Sequence, residues 1–486
     1  MQPSGKIWMV VWAGVILLAG CNFAPSYLRP QVSIPANFKE LKHADLQNTE
    51  GWKDAEPKEH VLRGKWWEVF GDPQLKALEE EGNASNQSVA AAFANFLAAR
   101  AVVKQSRSLF FPTVTTTPSV TKSGGRQGTS VGGTNVTNNG NSATLYSLPF
   151  DATWELDFWG RIKNTVQANA RTAEAGFADL ENLRLTVESE VAVNYFQIRA
   201  LDGQKQLFES AVVAFRESLE LTKARFQTGI ASDQDVAQAE AQLNTTQVQA
   251  TDLGIQRAQL EHAIAVLIGK SPSMFYIPIE PLQTKPQAVP FDVPSTLLER
   301  RPDIAAAERR VAAANAQIGI ARAAYFPTVT LSGSAGFQSS TIANLVSGPS
   351  LAWSVGGNLA ETLFDAGRRR GVTEQAWANY QNTVANYRQT VLSAFQEVED
   401  NLSTLRILSQ EIREQAAAVQ SSQRFLTLAN DRYKLGIDSY LNVITAQTTL
   451  LNNQRIAVNL RGLQMTATVQ LVKALGGGWQ RGRLQR

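Results

Sequence analysis

Between Val372 and Leu435 the chain has neither proline nor glycine, and apolar side chains return in steps of three and four. They fall at Trp377, Tyr380, Val384, Tyr387, Val391, Phe395, Val398, Leu402, Leu405, Leu408 and Ile412. That spacing predicts a single long helix with a coiled-coil seam. A counterpart runs from about Arg161 to Thr228. At 1.5 Å of rise per residue, each would reach about 100 Å, far beyond what a globular domain needs. Elsewhere the period drops to two. Phe150, Ala152, Trp154, Leu156 and Phe158 alternate with Asp151, Thr153, Glu155 and Asp157. Leu351, Trp353, Val355 and Leu359 alternate with Ser350, Ser354 and Asn358. Val114 and Val120, then Val329, Leu331, Ala335 and Phe337, alternate with Thr and Ser. Aromatics (Phe111, Trp159, Tyr325, Phe326) stand near the strand ends. Segments of about ten residues with this pattern suit transmembrane β-strands with an interfacial girdle, and equally a half-buried soluble hairpin.

These elements occur twice. Ala224-Arg225-Phe226-Gln227-Thr228-Gly229-Ile230-Ala231-Ser232 returns as Asp431-Arg432-Tyr433-Lys434-Leu435-Gly436-Ile437-Asp438-Ser439. Phe111-Pro112-Thr113-Val114-Thr115 returns as Phe326-Pro327-Thr328-Val329-Thr330. A duplicated unit of roughly 200 residues points to architecture built by repetition. Each unit reads as helix, strand pair, long helix, turn, helix. Gly229 and Gly436 suit the left-handed position that ends a helix. Ser232 and Ser439 stand where an N-cap would start the returning one. The loop Ser123–Asn141, rich in Gly, Ser, Thr and Asn, reads as exposed.

Lipid admits only helices and closed barrels, because an open sheet edge leaves backbone groups unpaired. Four strands cannot close a barrel, for which about eight is the practical minimum. Strands placed in a membrane would therefore have to be shared among chains. Two chains would supply about eight strands and three about twelve, and both remain open at this point.

The 486 residues carry a net charge of only +3, too mild to argue for nucleic acid. Lys6, an apolar run from Ile7 to Leu18, and Leu18-Ala19-Gly20-Cys21 have the layout of a secretory signal. Cys21 is the sole cysteine, so no internal disulfide is possible. The ending resembles a bacterial lipobox, which implies an acylated Cys21 (palmitate among its acyl chains) as the mature N-terminus and membrane anchor. Asn22 is not the Asp associated with inner-membrane retention, which favours the outer membrane. No later apolar run reaches the length of a membrane helix. The division expected is a signal peptide at 1–20, an extended Pro-punctuated tether at 21–64, repeat 1 at 65–277, a linker at 278–294, repeat 2 at 295–475 and a tail at 476–486. His43, His60 and His262 are scattered, with no spacing for a zinc cluster or a His-based triad, so no catalytic or metal residue is expected.

Leu297-Leu298-Glu299-Arg300-Arg301-Pro302-Asp303-Ile304, then Ala307-Glu308-Arg309-Arg310 and Ala323-Ala324-Tyr325-Phe326-Pro327, resemble the TolC-like outer-membrane factors of tripartite efflux systems. Trp66-Trp67, Phe70, Asp72 and Leu75 resemble that family's opening motif. The resemblance implies a mainly α, internally duplicated fold with a membrane β-barrel portion. Four strands per chain would form a trimeric twelve-stranded barrel, continuous with a periplasmic α-barrel of long helices. The Lys42 region and Pro278–Pro294 would form a belt around it. The resemblance also implies an outer-membrane exit duct without cofactor, working with a periplasmic adaptor and an inner-membrane pump of the resistance-nodulation-division type. Rival readings are the same duct serving type I protein secretion, and a lipid-anchored periplasmic coiled-coil scaffold without a pore.

Adaptor-contacting tips would be Gly229, Ile230, Ser232, Gly436, Ile437 and Ser439. The family often places carboxylates just after the second tip; the matching Asn442 and Thr445 are uncharged here. A position sometimes basic in the family is Asp438 here, while Asp235 matches a family acid. The gate expected is held by hydrogen bonds and packing, with Asp233, Asp235 or Asp438 supplying negative charge. The plainer alternative is that these Asp residues only favour a helix N-terminus.

Overall fold

A computed structural model describes residues 23–35, 37–40, 65–124, 127–131, 134–138, 143–283 and 300–477. Cys21, the Lys42 region and the part of the expected belt beyond residue 283 lie outside the described residues. Repeat 1 contains helices α1 (Pro73–Ser85) and α2 (Gln87–Ser108), strands β1 (Thr113–Thr116), β2 (Ser119–Ser123), β3 (Gln127–Val131), β4 (Thr134–Asn138) and β5 (Ala143–Leu156), and helices α3 (Arg161–Gln227) and α4 (Asp233–Leu267). Repeat 2 contains α5 (Pro302–Ala323), β6 (Thr328–Ser339), β7 (Leu351–Ala360), α6 (Arg368–Lys434) and α7 (Tyr440–Ala474). The duplication is metrical: α3 and α6 have 67 residues each, α4 and α7 have 35 each.

Each long helix begins at a carboxylate cap. Asp157 accepts the backbone N–H groups of Ile162 (2.9 Å) and Lys163 (2.7 Å), and Asp365 those of Gly367 (3.0 Å) and Arg369 (3.1 Å). Helix α6 therefore starts at Arg368, before the expected Val372, and takes Gly371 into its first turn. Its predicted seam is real: Tyr387, Val391, Phe395, Val398, Leu402 and Leu408 are all buried.

The chain forms two compact units, and each draws on both repeats. One contains residues 97–174 and 308–385, hence the sheet. The edge strand β1/β2 pairs antiparallel with β5, β5 with β6 and β6 with β7. The register sorts the side chains by face. Phe150 stands opposite Ala335 and Ala335 opposite Trp353; Trp154 stands opposite Leu331; Leu148, Phe337 and Leu351 form another apolar row. On the other face Asp151, Ser334 and Ser354 line up, as do Glu155, Thr330 and Asn358. On the free strand β7 the apolar face is bare, with Trp353 75% and Val355 80% exposed.

The first strand is broken into β1 and β2 at Thr117-Pro118, opposite Leu148-Pro149. A proline has no N–H for a ladder and is tolerated on an edge. The Ser123–Asn141 segment, expected as a plain loop, contains the β3–β4 hairpin, paired from Gln127–Asn138 to Val131–Thr134.

At the foot of this sheet Phe23 stacks on Phe326 (4.3 Å between centroids), and Trp159 stacks on Phe326 (4.9 Å) while donating Nε1–H to the Pro327 carbonyl (2.7 Å). Asn315 on α5 donates to the Pro25 carbonyl (2.8 Å). Residues 23–30 thus lie along α5 as an extended strap without regular secondary structure.

The second unit contains the described parts of residues 31–96, 175–307 and 386–486. Its opening motif is a packing knot. Trp66, Trp67, Phe70 and Leu75 are buried, and Asp72 caps α1 through the N–H groups of Gln74 (3.0 Å) and Leu75 (3.1 Å). The Arg301-Pro302-Asp303 motif is structural as well. Arg301 bonds Asp303 (2.7 Å), Glu397 (2.7 Å) and the Ala474 carbonyl (3.0 Å), tying the start of α5 to α6 and α7. A buried ionic cluster fastens the beginning of the linker. Asp202 accepts from Arg257 Nε (2.7 Å), Arg199 Nη1 (3.3 Å) and the Glu280 N–H (3.1 Å). Arg257 also bonds Glu261 (2.6 Å) and the Ile277 carbonyl (2.6 Å).

Candidate functional site at the helical tips

Both turns are built alike. The N–H of Gly229 returns to the Phe226 carbonyl (2.9 Å) and that of Ile230 to Arg225 (2.9 Å). In the second turn Gly436 returns to Tyr433 (3.0 Å) and Ile437 to Arg432 (2.9 Å). This pair of bonds closes the last turn of a helix and places a glycine at positive φ, here 76° and 72°. Each turn pushes an isoleucine into solvent: Ile230 is 69% and Ile437 60% exposed, with Leu435 and Leu441 exposed beside the latter.

The returning helices differ. Ser232 Oγ accepts from the Asp235 N–H (3.2 Å) while Asp235 accepts from the Ser232 N–H (3.0 Å), a complete capping box at the start of α4. Asp233 is exposed in the same first turn, where the helix N-terminus favours negative charge. At the second tip Ser439 holds the capping position but its side chain makes no capping bond, which corrects the expectation. Asn442, in the place of Asp235, donates instead to Asp438 (3.0 Å). Thr445 donates to the Leu441 carbonyl of its own helix (2.8 Å).

Asp438 also takes Arg432 Nε at 2.7 Å. The hydrogen-bonded Arg432 holds the Asp438 carboxyl below the usual range. An ion pair is therefore present inside the second turn. What joins the two hairpins is a residue the sequence reading passed over. Arg225 donates Nη1–H to the Tyr433 carbonyl (2.8 Å) and Nη2–H to the Lys434 carbonyl (2.8 Å), with its guanidinium 4.5 Å from the Tyr433 ring centroid. It thus covers the carbonyl end of α6, where a helix favours positive charge. Below it Ser218 and Tyr440 hydroxyls meet at 2.9 Å, over a core of Phe215, Leu219, Leu243, Tyr433, Tyr440 and Val443.

Arg225 and Arg432 are the same position of the repeat, and their different partners follow from one neighbour. Six residues on, repeat 2 has Asp438, which holds Arg432 at home. Repeat 1 has Ala231 there, so Arg225 is free to cross. Comparing the two copies position by position would have found this.

The sequence profile described as outer membrane efflux protein matches residues 80–270 and 293–477. The chain is 31% identical over 474 residues to the probable efflux pump outer membrane protein TtgC of Pseudomonas putida, covering 95% of this chain and 94% of that protein. It is 30% identical over 478 residues to the pyoverdine export outer membrane protein OpmQ of Pseudomonas aeruginosa, covering 96% of each. Its structure resembles that of the outer-membrane channel OprN with a TM-score of 0.84 at 29% identity, over 94% of this chain and all of that one. With a family model over residues 80–270 and 293–477 and a relative 31% identical along nearly the whole length, the chain belongs to the outer membrane efflux protein family.

Proposed function

We propose that this outer-membrane efflux channel works as a homotrimer, lipid-anchored at Cys21, that docks a periplasmic adaptor at its tips and receives cargo from an inner-membrane pump of the resistance-nodulation-division type. The observation that carries the reading is the sheet. It has one apolar and one polar face, and its outer strands, β1/β2 and β7, each pair on one side only. A membrane wall requires the two unlike faces and forbids the two open edges, so further copies must close it. Three copies close a barrel of the size the family resemblance implies.

Support for the anchor comes from the strap. Phe23, two residues after Cys21, is stacked at the foot of β6, so a lipid on Cys21 would start where the sheet leaves the membrane. Support for docking comes from the exposed isoleucines at two equivalent turns, which offer apolar knobs to a partner. The pore-free scaffold would leave the bare apolar face of β7 without a purpose. Native mass spectrometry of the membrane-extracted protein in mild detergent tests the reading. Three copies, each beginning at an acylated Cys21, are expected; a lipidated monomer would overturn it.

A further inference from the structure

A pair of carboxyl groups beneath the opening motif takes no part in the tips or the sheet. Glu79 on α1 is 1% exposed, and its Oε1 is buried without a hydrogen-bond partner. Glu188, partly buried on α3, accepts Trp66 Nε1–H at 2.8 Å and is also bonded by the Asn83 side chain. The groups around them supply little countercharge. On α3, Arg184 is bound to Glu181 at 2.6 Å. Lys65 is bound to Glu80, Lys76 to Glu68 at 2.9 Å, and Lys270, past the end of α4, to Glu81 at 2.5 Å. Past the end of α7, Gly477 lies against Leu185 and Trp66.

A carboxylate with an unmatched oxygen in a dry site is costly, and a proton removes the cost. Burial, then the charge of Glu188, pushes Glu79 well above the ordinary carboxylate range. Burial also outweighs the Trp66 and Asn83 bonds and Arg184, raising Glu188 to about 6. Two such groups titrate as a coupled pair.

We propose that Glu79 and Glu188 form a proton-holding pair that fastens the Trp66–Phe70 turn and α1 onto α3, gripping in acid and loosening as the pH rises. The direction follows from linkage. Both groups bind protons more tightly folded than unfolded, so their stabilisation is complete below the unfolded value near 4.5. It is lost as pH climbs through about 6 for Glu188 and through the raised value of Glu79. The ligand is the proton, and the regulated element is the turn through which the N-terminal segment joins the helices. The proposal stands on the buried carboxyls and not on the trimer.

Amide hydrogen exchange of residues 65–85 in the full-length protein, corrected for intrinsic rates, tests it. The opening equilibrium of this segment in the wild type should rise between pH 5.5 and 7.5, by at most about tenfold per pH unit for each proton released. Glu79→Gln and Glu188→Gln, which keep the shape but cannot ionise, should flatten that dependence and protect the segment at pH 7.5. A wild-type segment insensitive to pH, or the same dependence in both variants, would overturn the proposal. Should the variants fail to fold, infrared spectra of the wild type at pH 5, between the unfolded value and about 6, decide alone. A buried protonated-carboxyl band is expected, and its absence sinks the idea.

Discussion

Removing the Arg225 side chain should release the two tips from one another. The structure gives it two charge-assisted bonds to carbonyls and one ring contact. Bonds to charged groups contribute about 1.5–3 kcal/mol when buried. Arg225 is half-buried, so about 1 kcal/mol each is appropriate, with about 0.5 kcal/mol for the cation–π contact. Arg225→Ala should therefore shift the tip-separation equilibrium by about 2–3 kcal/mol per protomer, or about 30- to 150-fold. Open-state occupancy in planar lipid bilayers is the assay, with spin-label distances between the two turns as a structural control. Arg225→Lys should fall between, since an ammonium cannot bridge both carbonyls. The sharper test is Ala231→Asp. It recreates in repeat 1 the neighbour that holds Arg432 at home, and should draw Arg225 back to its own turn and mimic Arg225→Ala. Unchanged occupancy and unchanged tip distances in Arg225→Ala would refute the reasoning.

Asp202→Ala should take from Arg199 and Arg257 the buried carboxylate they share and destabilise the second unit by about 3 kcal/mol, read as a lowered thermal midpoint and faster exchange over residues 275–283. Gly462→Ala would set a new Cβ 2.6 Å from the Ala200 Cβ, and overpacking there should cost about 1–3 kcal/mol in thermal or denaturant melts. Because Arg432 depresses the Asp438 carboxyl, its contribution is present above the ordinary carboxylate value and is lost only as pH falls through the lower folded one. Acidification from pH 7 to 5 should leave the Arg432–Asp438 pair intact, and a carboxyl chemical-shift titration of Asp438 checks this.

The long helices and the duplication were legible because each rests on many positions. The seam of α6 spans eleven apolar residues from Trp377 to Ile412, and no single exception could hide it. The alternation of β5, β6 and β7 was legible for the same reason. The β3–β4 hairpin was not, since its strands are Gly-, Ser-, Thr- and Asn-rich and carry no apolar period. At the tips, the turn glycines announced themselves through their backbone requirement. The failed Ser439 cap did not, because whether a serine caps depends on what its third neighbour does, and Asn442 is drawn off by Asp438. Arg225 was invisible for a related reason. Backbone carbonyls carry no sequence signature, so a side chain that recognises the end of another helix leaves no pattern to read.

The equal lengths of the paired helices make insertions and deletions a collective matter. Losing one residue from α3 alone would retract its turn by about 1.5 Å and swing it by about 100°, carrying the Arg225 fork away from its two carbonyls. Adding seven residues to α3 would nearly restore the orientation yet displace the turn by about 10 Å. Only a matched change of whole heptads in α3, α4, α6 and α7 keeps the two tips level. Across descendants of this chain, length should therefore change in coordinated steps of seven in all four helices, while single-residue indels gather in the loops of the sheet.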